Sequence, residues 1–280
     1  MRRLFCCLFL IFTLALSGTL SVPSSGFAED NVSLQGKFIQ GGIIIGKAPG
    51  GSKIFLNQEA IKLSQQGDFV FGFGRDAEGI VELSIQTPDG KTQTRNYEIK
   101  KRDYAIQRIE GVAQKYVSPP KEVADRISRD AQIVAKARTE DFDEPMYAKG
   151  FIWPAHGRIS GVYGSQRVFN GVPKRPHFGV DVAAPVGTPV IAPAPGIVTL
   201  AEPDLYYSGG TIILDHGHGL SSTFLHMDSV TVKVGDYLAQ GEKLGTLGAT
   251  GRVTGPHLDW RMNWFKERVD PETLVGPMPN

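Results

Sequence analysis

From Val32 to about Lys100, apolar and polar residues alternate in short bursts, and the period is that of strands rather than helices. Phe38–Gln40, Ile43–Ile45, Lys53–Leu56, Ala60–Leu63, Phe69–Phe71, Ile80–Ile85 and Thr94–Ile99 are rich in branched and aromatic side chains, the composition that suits a pleated, half-buried surface. Pro49-Gly-Gly51, Gln66-Gly-Asp68 and Pro88-Asp-Gly90 separate them, the last being a hairpin signature. Seven such runs in about 70 residues predict a small antiparallel sandwich, immunoglobulin-like in outline.

The period changes after Ser118-Pro-Pro120. Val123, Ile127, Ala131 and Val134 recur at helical intervals, Glu122 sits in the first turn, and Lys136 and Arg138 sit near the end, matching the helix dipole. A helix of about 17 residues is expected, stopped by the acidic run Glu140–Glu144 and Pro145. It reads as a packed connector between two domains; a plug across a catalytic groove is the sharper alternative. Beyond Phe151 the strand pattern returns with denser Gly and Pro. Val186–Val190 and Val234–Leu238 resemble each other and are expected to form two equivalent hairpins of one antiparallel β fold. Lipoyl and biotinyl carrier domains have a similar hairpin, but they need an exposed Lys at a sharp turn. Lys243, between Glu242 and Leu244, fits that poorly. The expected fold class is therefore all-β.

The first residues follow neither period. Arg2-Arg3 precedes an apolar run from Leu4 to Leu16, and Gly26-Phe27-Ala28 supplies small residues for a cut, which reads as a secretory leader removed after Ala28. The apolar run falls short of the roughly 20 residues that span a bilayer, so no stable membrane span is expected. The chain's 2 cysteines, Cys6 and Cys7, lie within this leader, which leaves a mature protein without disulfides or thiolate metal ligands. Four parts are expected: leader 1–28, sandwich 29–104, helical connector 105–148 and a C-terminal domain 149–280. Cutting after residue 28 removes two arginines and no acid, leaving 28 bases against 29 acids. That balance gives nucleic-acid binding no electrostatic support.

Chemistry-bearing residues collect in the C-terminal half. His177-Phe-Gly-Val-Asp181, Phe224-Leu-His226 and Gly255-Pro-His257-Leu-Asp259-Trp260 hold three of the 6 histidines and two carboxylates. Residues two apart on a strand share a face, so His257 and Asp259 are expected to look into one groove. Trp260, Met262 and Trp264 then face the core. Imidazole nitrogen and carboxylate oxygen are the usual non-thiolate ligands of zinc, and this set of side chains is what a metallohydrolase requires. His156, His216 and His218 read as exposed or locally hydrogen-bonded histidines. Tyr163, Phe169, Asn170 and Tyr206-Tyr207 fall in predicted loops that could line a peptide cleft.

These motifs, with Ala184–Val190, Leu214–Gly219 and Val234–Asp236, resemble the lysostaphin-like (LytM-type) zinc endopeptidases of peptidoglycan in order and spacing over roughly Phe151 to Gly276. The resemblance implies metal ligands His177, Asp181 and Asp259, one Zn²⁺ per chain, and His226 and His257 as catalytic imidazoles. It also implies peptidoglycan peptide stems as substrate, other cell-wall hydrolases as possible partners, and a periplasmic or envelope location. One position departs from the pattern. Where the family has a histidine ligand this chain has Asp259, so the centre carries two carboxylates and Mn²⁺ becomes a candidate ion beside Zn²⁺. The alternative implied by that departure is a non-catalytic peptidoglycan-binding activator of a cell-wall amidase.

Overall fold

The structure is a computed structural model and describes residues 32–279. The leader expected at 1–28 lies outside the described residues. The N-terminal part holds seven strands: β1 (Ser33–Gly36), β2 (Ile43–Lys47), β3 (Lys53–Leu56), β4 (Glu59–Ile61), β5 (Asp68–Gly72), β6 (Ile80–Gln86) and β7 (Thr92–Glu98). They make two antiparallel sheets, β1-β2-β5 and β4-β3-β6-β7. Alternation does what the sequence implies. On β6, Val81, Leu83 and Ile85 point inward and Glu82 and Ser84 do not. Strands β2 and β5 instead read as continuous apolar runs because both their faces are covered. Ile44, Phe69 and Phe71 enter the sandwich core, while Ile43 and Val70 belong to the core of the C-terminal sheet.

Phe38–Gln40 was expected as a strand and makes only an isolated bridge, Ile39 to Lys100. Phe38 contributes through its ring, stacked on Tyr97 at 4.0 Å between centroids. The first strand is β1, whose sequence Ser-Leu-Gln-Gly has one apolar residue and owes its conformation to pairing with β2.

The connector is not purely helical. β8 (Ile106–Ile109) precedes α1 (Gln114–Val117), a 3₁₀ turn at Lys121–Val123 and α2 (Ala124–Ala137). Pro120 caps the 3₁₀ turn that leads into α2, as expected where a missing N–H is no loss. Val134 and Ala137 pack on Leu200, Leu205 and Ile213, and the Asp130 carboxylate accepts the Tyr206 backbone N–H at 2.7 Å. The helix is thus packed along one edge, and its other edge borders a groove that leads to His177.

The remainder is strand: β9 (Arg158–Gly161), β10 (Gln166–Phe169), β11 (Val172–Pro173), β12 (Val180–Ala183), β13 (Pro189–Ile191), β14 (Gly196–Leu205), β15 (Gly209–Asp215), β16 (Leu220–Val230), β17 (Tyr237–Leu238), β18 (Lys243–Leu247), β19 (Leu258–Trp264) and β20 (Glu267–Val269). A 10-stranded sheet runs β17-β14-β15-β16-β19-β12-β9, with β13, β18 and β20 attached. The resembling segments 186–190 and 234–238 are turns leading into strands, with Gly187 and Gly235 at φ 90° and 94°. They are not hairpins, because β13 pairs with β18 and β17 with β14. Strand β8 leaves the connector to pair in parallel with β10, matching Gln107 to Arg167. On β19, Leu258, Trp260 and Met262 are fully buried beside Phe224, Ile212 and Leu214. Asp259 and Arg261 therefore project from the other face.

Candidate metal centre and its groove

Three segments meet at that face. Asp181 and Asp259 are direct partners in the antiparallel pairing of β12 with β19, which sets their carboxylates side by side. His177 lies just before β12 and supplies the third group. One ligand atom from each of the three lies within 4.8 Å of the others, and all three side chains are buried. His177 Nε2 is 3.0 Å from Asp181 Oδ1, and His177 Nδ1 is 4.0 Å from Asp259 Oδ2. The first pair is close without being aligned as a hydrogen bond: both imidazole nitrogens and Asp181 Oδ1 are buried with no hydrogen-bond partner. Buried polar atoms almost always find a partner, so lone pairs converging on an unshared point fit a divalent cation. Two metal–ligand bonds of about 2.1 Å span roughly the separations seen here.

Two glycines make the room. A Cβ on Gly161 would sit 2.2 Å from Asp181 Oδ2, and one on Gly179 would sit 2.6 Å from both Asp259 Oδ1 and the Trp260 carbonyl oxygen.

Both carboxylates are held by arginines that the motifs do not include. Arg167 of β10 donates to Asp181 Oδ2. Arg261 donates through Nε to Asp259 Oδ1 at 3.0 Å and through Nη2 to Oδ2 at 2.5 Å. Burial disfavours a charge on Asp181, but His177 and Arg167 outweigh it and hold the carboxyl below the usual range. Burial acts on Asp259 in the same sense, and there Arg261 prevails with help from His177, holding it well below that range. A tally of two carboxylates alone thus misses two guanidiniums on the same oxygens, which restore positive charge to the centre. Arg261 was readable, since 257, 259 and 261 share one face by alternation. Arg167 carries no such local signal, because the pairing of β10 with β8 brings it in.

The two remaining predicted residues stand beside the three. His257 Nε2 is 3.8 Å from Asp181 Oδ1, and the His226 and His257 rings lie 4.8 Å apart. His226 Nδ1–H donates to the Thr250 carbonyl at 2.8 Å and His257 Nδ1–H to the Gly255 carbonyl at 2.9 Å. These carbonyls fix the tautomers and leave each Nε2 with a free lone pair. Burial, then the adjacent His257, pushes His226 down to about 4, so it is neutral near pH 7. His226 also sits at φ 65°, where a bulge makes β16 advance three residues, Phe224 to Met227, against two on β15, Ile212 to Gly210. Left-handed backbone at a non-glycine residue is strained and re-aims the side chain.

The other histidines are structural, though two are buried rather than exposed. His216 donates to the Pro195 carbonyl at 2.7 Å and meets Ser222 Oγ at 2.8 Å; His218 lies between the Tyr147 hydroxyl and the Asp143 carbonyl. His156 is exposed. Of the suggested cleft aromatics, Phe169 and Tyr207 line a groove of about 1010 Å³ that reaches His177 and Arg261, bounded opposite by Ile127 and Val134 of α2. Tyr163 is buried elsewhere, its hydroxyl donating to the Arg268 carbonyl at 2.6 Å. Asn170 ties the loop at Val112 through its side-chain amide.

Known proteins resemble the chain in sequence and in fold. Residues 175–271 match Peptidase family M23. Over 107 residues the chain is 37% identical to the peptidoglycan DD-endopeptidase ShyA of Vibrio cholerae, covering 38% of this chain and 24% of that protein. Over 105 residues it is 35% identical to the DD-carboxypeptidase/endopeptidase Mpg of Neisseria meningitidis, covering 38% and 24%. The matched segment is thus about a quarter of the length of these relatives. A crystal structure of a Pseudomonas aeruginosa protein assigned to the M23 peptidases superposes with a TM-score of 0.62 at 26% identity, covering 86% of this chain and 96% of that one. Motif spacing, sheet and clustered ligands agree with these likenesses: the chain carries a peptidase family M23 domain, formed by residues 175–271.

Proposed function

We propose that the chain is a zinc-dependent endopeptidase of the bacterial envelope that hydrolyses peptide cross-links of peptidoglycan. The observation that carries this reading is the set of buried, unpartnered donor atoms on His177 and Asp181 facing Asp259. The names of ShyA and Mpg, a DD-endopeptidase and a DD-carboxypeptidase/endopeptidase, support the substrate class. In this reading residues 1–28 are a cleaved leader, 29–104 a positioning sandwich, 105–148 a connector and 149–280 the peptidase domain. Among the described residues no helix is long and apolar enough to cross a membrane.

His177, Asp181 and Asp259 would hold the ion. When bound, a divalent cation supplies Lewis acidity to the scissile carbonyl and lowers the pKa of water. The chain's own residues do the rest. His226, neutral and locked with Nε2 free, accepts the proton of the attacking water. His257, in the same tautomer beside Asp181 Oδ1, orients that water through its Nε2 lone pair, and His226 passes the proton it has taken to the leaving amine. Arg167 holds the outer oxygen of Asp181 and Arg261 both oxygens of Asp259, so the two carboxylates keep their direction without relying on the ion.

A second reading has one observation in its favour. Arg261 engages both oxygens of Asp259, which leaves that carboxylate satisfied without a cation, as in a non-catalytic peptidoglycan binder that activates another hydrolase. Metal analysis of the purified mature protein separates the two: about one ion per chain for the enzyme, none for the binder. Asp259→Ala should abolish cleavage of cross-linked wall peptides, and Asp259→His should retain or raise it. No cleavage by the parent protein with either Zn²⁺ or Mn²⁺ would overturn the enzymatic reading.

A further inference from the structure

Beside the metal centre the groove narrows into an inner cavity of about 180 Å³, bordered by His226, Asp259 and five arginines: Arg138, Arg167, Arg252, Arg261 and Arg268. Arg261 is neutralised by Asp259 and Arg167 by Asp181. The other three have no carboxylate within ion-pairing distance among the described residues. Arg138, at the end of α2, donates one hydrogen bond to Thr223 Oγ1 at 3.2 Å, and its Nε is buried with no partner. Arg252 is held over the rings of Tyr207 and Phe169, at 4.7 and 5.1 Å from their centroids. Arg268 lies over Phe178 at 5.6 Å. Aromatic faces fix a guanidinium plane and leave its N–H edge free to donate.

Such a cluster is under electrostatic stress. Burial, then the charges of Arg268 and Arg261, pushes Arg138 down to about 9; burial and Arg261 push Arg268 down to about 10. Unpaired, half-buried cations converging on one cavity are relieved by an anion in it, and a planar fork matches a carboxylate or phosphate in a bidentate manner. The cavity has room for about six waters at roughly 30 Å³ each, enough for a carboxyl group and a small side chain.

We propose that Arg138, Arg252 and Arg268 form a carboxylate-binding subsite, so that the peptide this groove takes carries a free carboxylate close to the bond being cut. Only the cleavage step rests on the endopeptidase reading; binding of the carboxylate stands without it. The test uses the full mature chain freed of metal by chelation. Calorimetry compares acetylated tri-alanine bearing a free C-terminal carboxylate, its C-terminal amide, and inorganic phosphate.

The acid should bind at least tenfold more tightly than the amide. This preference should fall below twofold in Arg252→Gln/Arg268→Gln and return in part in Arg252→Lys/Arg268→Lys, with melting profiles confirming that each variant is folded. Equal affinity for acid and amide, no binding of either, or a preference that survives the Gln pair overturns the proposal. Phosphate binding as tightly as the acid peptide overturns it in favour of a phosphate site. Carboxylate preference without any turnover on wall peptides leaves the subsite standing and removes the enzymatic reading; turnover without the preference does the reverse.

Discussion

The buried core of the sandwich includes Ile44, Ile54, Phe69, Phe71, Val81 and Leu83, whereas every buried Asp or His among the described residues lies between His177 and Asp270. Both regions are built of antiparallel strands with alternating faces, and both have a close-packed apolar core. They differ in the other face. The β4-β3-β6-β7 sheet of the sandwich turns charged and polar residues to water, where each is cheaply solvated. The C-terminal sheet covers its second face with β8, β10 and α2 and shuts carboxylates, imidazoles and guanidiniums beneath them. Burying a charge is tolerated only when it is paired or coordinated, so the second region depends on a balance that the first does not need. One region is held by packing, the other by packing plus compensated charge.

The sharpest way to break that contrast is to remove one counter-charge. Arg261→Met leaves Asp259 fully buried without its guanidinium, and orphaning one member of a buried pair costs about 3–5 kcal/mol. Denaturant titration of the metal-free protein should show that loss. Added Zn²⁺ should recover a large part of it, since an ion that binds only the folded state stabilises it. An unchanged stability would mean that Asp259 is not held by Arg261, and the contrast between the regions would weaken.

Charge compensation in the C-terminal sheet also has a pH dependence. Burial pushes Asp215 up to about 7, against the opposing effect of the N–H groups it accepts, and its Oδ1 takes the Gly217 N–H at 2.8 Å. Between the unfolded value near 3.8 and the folded value the native state holds a proton that the unfolded chain has lost, so stability falls as pH rises through this window. Asp215→Asn keeps the acceptor and removes the ionisation. It should raise stability at pH 8 by on the order of 4 kcal/mol and change little at pH 4. A variant equally stabilised at both values would show that the effect is not ionic.

The strand content and the five motif residues were legible because alternation and motif spacing are local or nearly so. The misreadings fall where partners are remote. Ser33–Gly36 has too few apolar residues to announce a strand, and only β2 makes it one. Ile106–Ile109 is a four-residue run inside an otherwise helical connector, recruited by β10. Arg167 arrives at Asp181 by that same parallel pairing, so no window of sequence contains the reason for it. Arg261 differs, for alternation from Asp259 places it on the ligand face, and a count of carboxylates without their cations passed over it. His216 and His218 flank a turn glycine and read as exposed or locally hydrogen-bonded; the second holds, for the loop after α2 and the Pro195 carbonyl enclose them.

The smallest effect belongs to the sandwich. Lys47 pairs with Asp68 at 2.9 Å, with the lysine side chain 55% exposed. Asp68 does not depend on it: its backbone N–H donates to Ser64 Oγ at 2.9 Å and its Oδ2 accepts from that hydroxyl at 3.2 Å. Water replaces an exposed ammonium at little cost, and such pairs contribute about 0.2–1 kcal/mol. Lys47→Ala should therefore lower stability by no more than about 0.5 kcal/mol, in chemical denaturation at low salt, and by still less at high salt where the pair is screened. A loss of several kcal/mol would put the sandwich in the same class as the groove, held by its charges, and the division between packing and compensation would not survive.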